Sequence, residues 1–66
     1  MKILVRDRIR NRYLKGRGEW TNNRAEARNF GNGSDAIQAT IGYGLTQVEI
    51  VHVFPNEKYN FCVAFA

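Results

Sequence analysis

The chain has 66 residues, 44% of them apolar and 24% charged, with ten Lys or Arg against six Asp or Glu and a formal net charge of +4. One cysteine excludes an internal disulfide, and one histidine with one cysteine is too small a set for a structural zinc site. A domain of this size buries only about 60% of the surface its unfolded chain exposes, so self-association, most commonly as a homodimer, is the reinforcement that remains.

No repeat, low-complexity run or linker divides the sequence, which reads as a single domain over residues 1–66. At its start only Ile3, Leu4 and Val5 are consecutively apolar before charge returns, far short of a signal-peptide core or a membrane span. The expectation is a cytoplasmic protein with no membrane partner. Residues 2–7 alternate, with Ile3 and Val5 on one face and Leu4 and Arg6 on the other, which predicts a short strand. Arg8-Ile9-Arg10-Asn11 turns the chain, and Asn11 is the residue best suited to the left-handed conformation of a hairpin loop. Residues 12–15 return as a second strand, which Gly16-Arg17-Gly18 ends.

Thr21 is placed to cap one or two helical turns that bring Ala25 near Trp20, and residues 28–30 then re-enter as a very short strand. Gly31-Asn32-Gly33 breaks the chain. Ser34 is the expected N-cap of the main helix over residues 35–43, with Asp35 favouring its positive end; Ala36, Ile37, Thr40 and Ile41 form its apolar stripe and Gly44 its C-terminal cap. In residues 47–54, Val48, Ile50, His52 and Phe54 share one strand face and Gln47, Glu49, Val51 and Val53 the other. Pro55-Asn56-Glu57-Lys58 is a turn. Residues 59–65 form the last strand, with Tyr59, Phe61, Val63 and Phe65 opposite Asn60, Cys62, Ala64 and Ala66, and pair with residues 47–54 as an antiparallel hairpin. The expected architecture is α+β, in the order β-β-short α-β-α-β-β, with one main helix on one face of a small antiparallel sheet.

Few groups are available for catalysis. Any Ser-His or Cys-His device needs His52, which the strand pattern puts among Val48, Ile50 and Phe54 as a partly buried histidine; Ser34 is the only serine and has a capping role. Cys62 in Phe-Cys-Val-Ala-Phe reads as a small hydrophobe rather than a reactive thiol. Asp7, Glu19, Glu26, Asp35, Glu49 and Glu57 are scattered over turns, a helix start and strand surfaces. Gly16-Arg17-Gly18 and Gly31-Asn32-Gly33 do not continue into a dinucleotide or phosphate-loop pattern. The reading is a non-enzymatic binding domain with no catalytic residue, metal site or small-molecule cofactor, and with Trp20 anchoring the core.

Charge is the one asymmetric feature. Residues 1–28 carry nine basic against three acidic side chains, a net +6, whereas residues 29–66 carry one against three, a net −2. Arg6, Arg8, Arg10, Arg12, Lys15 and Arg17 are the candidate contacts for nucleic-acid phosphates, bound without sequence specificity, and Tyr13 and Trp20, if exposed, would offer stacking surfaces. The alternative is a protein–protein interaction or homodimerisation module with no nucleic-acid role, built on an edge strand or on the aromatic face of Phe54, Tyr59, Phe61 and Phe65.

The order Tyr13-Leu14, a glycine turn, Trp20-Thr21, Ala27-x-x-Phe30 and an alanine-containing helix at Ala36 resembles that of small bacterial and phage-type proteins over roughly residues 5–54. The resemblance implies a folding signature, in which a hairpin strand, a capped turn and spaced apolar anchors close one core. It implies no activity, cofactor or binding residue.

Overall fold

The computed structural model describes residues 1–16 and 18–65. Among these, five strands form one antiparallel sheet: β1 (Lys2–Asp7), β2 (Arg12–Leu14), β3 (Trp20–Thr21), β4 (Val48–Val53) and β5 (Phe61–Phe65), in spatial order β3-β2-β1-β4-β5. One helix, α1 (Gly33–Gly42), packs on β1 and β4. The α+β class and the single covering helix are as the sequence predicts. The third strand is not: it is Trp20–Thr21, ahead of the short 3-10 turn at Arg24–Glu26, instead of following it.

The alternation of small and branched apolar residues fixes the register. Ile3 pairs with His52 and Val5 with Ile50 across β1–β4, and Ile50 pairs with Val63 and Val48 with Phe65 across β4–β5. Directly opposed residues share a face, so Ile3, Val5, Val48, Ile50, Val63 and Phe65 look toward α1. Ile3, Val5, Leu14, Ala36, Val48 and Ile50 form the buried core, with Trp20, Phe30, Leu45 and Phe65 packed around it. The expectation that Trp20 serves the core is met: it opposes Leu14 in β2 and is half-buried.

Helix α1 begins two residues earlier than its apolar stripe suggests. Asn32, not Ser34, is the N-cap, because its extended backbone lets the side-chain oxygen accept from the Asp35 N–H at 2.8 Å. Ala36 and Thr40 are buried at the sheet, and Thr40 donates to the Ala36 carbonyl; Ile37 and Ile41 lie at the flank, 37% and 66% exposed. The C-terminal end follows the Schellman pattern, with Leu45 N–H bonded to Thr40 O and Gly44 N–H to Ile41 O, and Gly44 at φ +65° as its sequence position predicts.

Further expectations change for local reasons: the last strand begins at Phe61 and not at residue 59, because Asn56 caps a 3-10 turn over Glu57–Tyr59. Thr21 caps no helix: Asn23 caps the 3-10 turn, while the Thr21 hydroxyl accepts from the Asn23 N–H and donates to Glu26. Residues 28–30 are not a strand, although they dock as one. Phe30 N–H reaches Ile3 O, and the Asn29 side-chain oxygen accepts from the Ile3 N–H at 3.0 Å and from Gly31 N–H. An amide side chain thus completes the ladder of β1 where β2 has already ended. At the other end of the sheet β4 starts at Val48, since Gln47 sits at φ 56° outside the strand.

Asn29→Ala leaves the N–H of Ile3, a residue only 1% exposed, without its acceptor. The expected loss is about 1–3 kcal/mol of unfolding free energy, measured by urea denaturation. Asn29→Asp, which retains an acceptor oxygen, is expected to cost less.

Candidate functional site

The basic N-terminal hairpin is organised by one carboxylate. Asp7 ends β1, and its Oδ1 accepts from the N–H groups of Ile9 and Arg10 at 2.9 and 3.1 Å, while its carbonyl accepts from Asn11 N–H. Asn11 takes φ 54°, the left-handed value its place in the loop predicts. Arg8 N–H in turn bonds to Gln47 O at 3.0 Å, which ties the loop to the start of β4. The tip Arg8-Ile9-Arg10 is held by hydrogen bonds on both sides, yet its side chains are exposed.

Asp7 opposes Arg12 across the hairpin, so both lie on the α1 side of the sheet. Arg12 Nε is 3.5 Å from the Asp7 carboxylate, and its guanidinium lies over the Trp20 ring at 4.8 Å. Burial pushes the Asp7 carboxyl upward. The N–H groups of Arg10 and Ile9 and the charges of Arg10 and Arg12 outweigh this, and hold it below the ordinary carboxylate value.

Arg6 lies on the opposite face. It pairs with Glu49, its direct neighbour on β4, and lies opposite Tyr13, its neighbour on β2. Burial pulls the Arg6 guanidinium down, but Tyr13 and Glu49 more than offset this and hold its pKa up. Glu49, expected on a strand surface, is buried to 9% exposure beneath this arrangement. Cys62 is exposed on the same face of β5, where its opposition to Val51 places it. Partial desolvation by its neighbours and the charge of Glu49 push its thiol pKa up, against the pull of Arg6, so thiolate is disfavoured.

The six candidate phosphate contacts therefore separate. Arg6 and Arg12 face opposite sides of the sheet and are engaged by Glu49 with Tyr13 and by Asp7 with Trp20. Arg8 and Arg10 are together at the tip, where the Arg10 side chain is 68% exposed with Asp7 3.7 Å away. Lys15 is exposed beyond the end of β2, and Arg17 lies outside the described residues. Tyr13 and Trp20 are both half-buried, which limits each as a stacking platform. The sequence reading missed Ile9, an apolar side chain 68% exposed between the two tip arginines, and it missed the organising role of Asp7. An aspartate two and three residues ahead of the N–H groups it accepts is the available signal for the second.

His52 is half-buried on the α1 side. Its ring stacks on Phe61 at 4.2 Å and 13°, close to Gly33 at the start of α1. Among the described residues no three His, Cys, Asp or Glu side chains come together as a metal-binding group, and no helix is long and apolar enough to cross a membrane. No family model, curated protein or solved structure matches the chain.

Because the Asp7 carboxyl has a depressed pKa in the folded protein, its contribution to stability is present above the unfolded value, near pH 4, and is lost as pH falls through the folded one. Asp7→Asn is expected to lower the melting temperature at neutral pH and to flatten its decline below about pH 4. A series of thermal melts from acid to neutral pH checks both.

Proposed function

We propose that this chain is a small non-enzymatic binding domain that contacts nucleic-acid phosphates through the tip of its β1–β2 hairpin. The observation that carries this reading is the exposed Arg8-Ile9-Arg10 tip, braced from within by Asp7 and from the side by Gln47. A braced loop backbone loses less freedom on binding, and guanidinium groups can engage phosphate oxygens in pairs. Ile9 adds apolar surface that suits a sugar or a base edge. Lys15 is exposed at the opposite end of β2 from the tip, while Arg6 and Arg12 serve the scaffold. The contacts are to the backbone of the nucleic acid, so the binding is non-specific in sequence.

The alternative, a protein–protein interaction or homodimerisation module without a nucleic-acid role, is favoured by a separate observation: the edge strand β5 contains no charged residue and exposes Phe61 and Val63 to about half their area. The two readings use different parts of the sheet, the β1–β2 hairpin and the edge strand β5.

Fluorescence anisotropy with labelled single- and double-stranded oligonucleotides over a salt series tests the phosphate reading. Affinity is expected to fall linearly on logarithmic axes, and the Arg8→Ala/Arg10→Ala double variant to reduce that slope by about 2. Absence of binding at low salt, or an unchanged slope in the variant, excludes the hairpin tip as a phosphate contact.

A further inference from the structure

Helix α1 packs on β1 and β4, and the outermost strand on that side, β5, extends beyond its cover. Phe61 and Val63 are 48% and 50% exposed on the face that carries α1, and Ile37 and Ile41 on the helix flank are 37% and 66% exposed. Between them runs an apolar groove of about 500 Å³ lined by Ile37, Ile50, His52, Val63 and Phe65. Natural edge strands are usually guarded by a lysine, a proline, a bulge or a covering loop. The five residues Phe61-Cys62-Val63-Ala64-Phe65 hold no charge and no proline. The opposite edge, β3, is only two residues long, and Arg12 lies over its Trp20.

We propose that β5 is a homodimer interface, formed by antiparallel addition of β5 from a second copy about a two-fold axis through Val63. The strand is nearly palindromic in side-chain size. With Val63 facing Val63 of the second copy, Phe61 faces Phe65 and Cys62 faces Ala64, so each bulky residue meets a bulky one and each small residue a small one. That self-complementarity is what a two-fold contact requires, because the same surface must serve both copies.

Area and charge agree with this occupant. The exposed parts of Phe61, Val63, Ile37 and Ile41 amount to roughly 350 Å² per copy. With the strand edge, Cys62 and Ala64 added, two copies would bury about 900 Å² in total, close to the lower bound of a specific interface. In the resulting ten-stranded sheet the two α1 helices lie on one side, about 19 Å apart at four strand spacings, which leaves a gap about one aromatic ring deep over the paired phenylalanines. The formal charge of +4 per copy is no obstacle, because the Arg8-Ile9-Arg10 tip belongs to the β1–β2 hairpin, across β4 from the axis.

Sedimentation equilibrium on the full chain, with Val63→Lys and Val63→Glu alone and mixed, tests the proposal. The wild type is expected to be dimeric at micromolar concentration and to remain so at high salt. Each variant places like charges opposite each other at the axis, and its dimer dissociation constant is expected to rise at least about tenfold. Mixing the two is expected to restore a dimer, since lysine then faces glutamate; that recovery also shows that both variants are folded. Ala64→Arg, exposed on the other face of β5, is expected to weaken the dimer without altering the far-ultraviolet circular dichroism. A wild type that stays monomeric, a dimer indifferent to Val63→Lys and Ala64→Arg, or a mixture that stays monomeric overturns the proposal. The phosphate-binding reading is not touched by any of these outcomes, since Arg8 and Arg10 are unchanged.

Discussion

The pairing of β1 with β4 is the contact on which the rest of the molecule depends. It joins residues 2–7 to residues 48–53 along the full length of both strands, and among the described residues it is the only strand pairing between the N-terminal hairpin and the C-terminal hairpin. Neither hairpin has a core alone. Each supplies half of one: Ile3, Val5 and Leu14 come from the first, Val48 and Ile50 from the second, and α1 closes over the seam with Ala36 and Thr40. A pairing across more than forty positions carries a large loop-closure cost, which is recovered only when these side chains are buried together. The capping arrangements at Asn32 and Gly44 reduce that cost by fixing how α1 enters and leaves the intervening segment.

Much of this was legible in the sequence because burial imposes a period. Ile3 and Val5 alternating with Leu4 and Arg6, and Val48, Ile50 and His52 alternating with Glu49, Val51 and Val53, place every side chain of β1 and β4 on its observed face. Asn11 and Gly44 were legible because few residues tolerate left-handed backbone. What escaped was decided by competition between near-equal polar groups or by distant partners. Ser34 and Asn32 are both competent caps, and the chain enters the helix at Asn32, two residues after Phe30 docks on Ile3. A side chain that replaces a strand, as Asn29 does, leaves no periodic trace. The fate of the arginines was the least legible part, since the register alone determines that Arg6 meets Glu49 and Arg12 meets Asp7 on opposite faces.

The lopsided charge consequently has two components. One is structural: Arg6 neutralises a buried glutamate, and Arg12 bridges a buried aspartate and the single tryptophan. Removing either partner would strand an opposing charge in a poorly solvated position, which is costly even where the intact pair contributes little. The other component projects from a braced turn, where Arg8 and Arg10 are exposed. Surface charge read from composition alone merges the two. The sheet separates them, and it also places the uncharged edge β5 at the end remote from β3.

That separation has a spectroscopic consequence. Trp20 is the only tryptophan, it sits on β3, and a guanidinium lies 4.8 Å from the centre of its ring. Its emission is therefore a reporter of one margin of the molecule, sensitive to any displacement of Arg12, and four strand spacings, about 19 Å, from β5. The tyrosines at 43 and 59 are exposed on the other half of the chain. Tyr13 lies on β2 beside Trp20's strand, so tryptophan emission, and not tyrosine emission, is the signal specific to that margin.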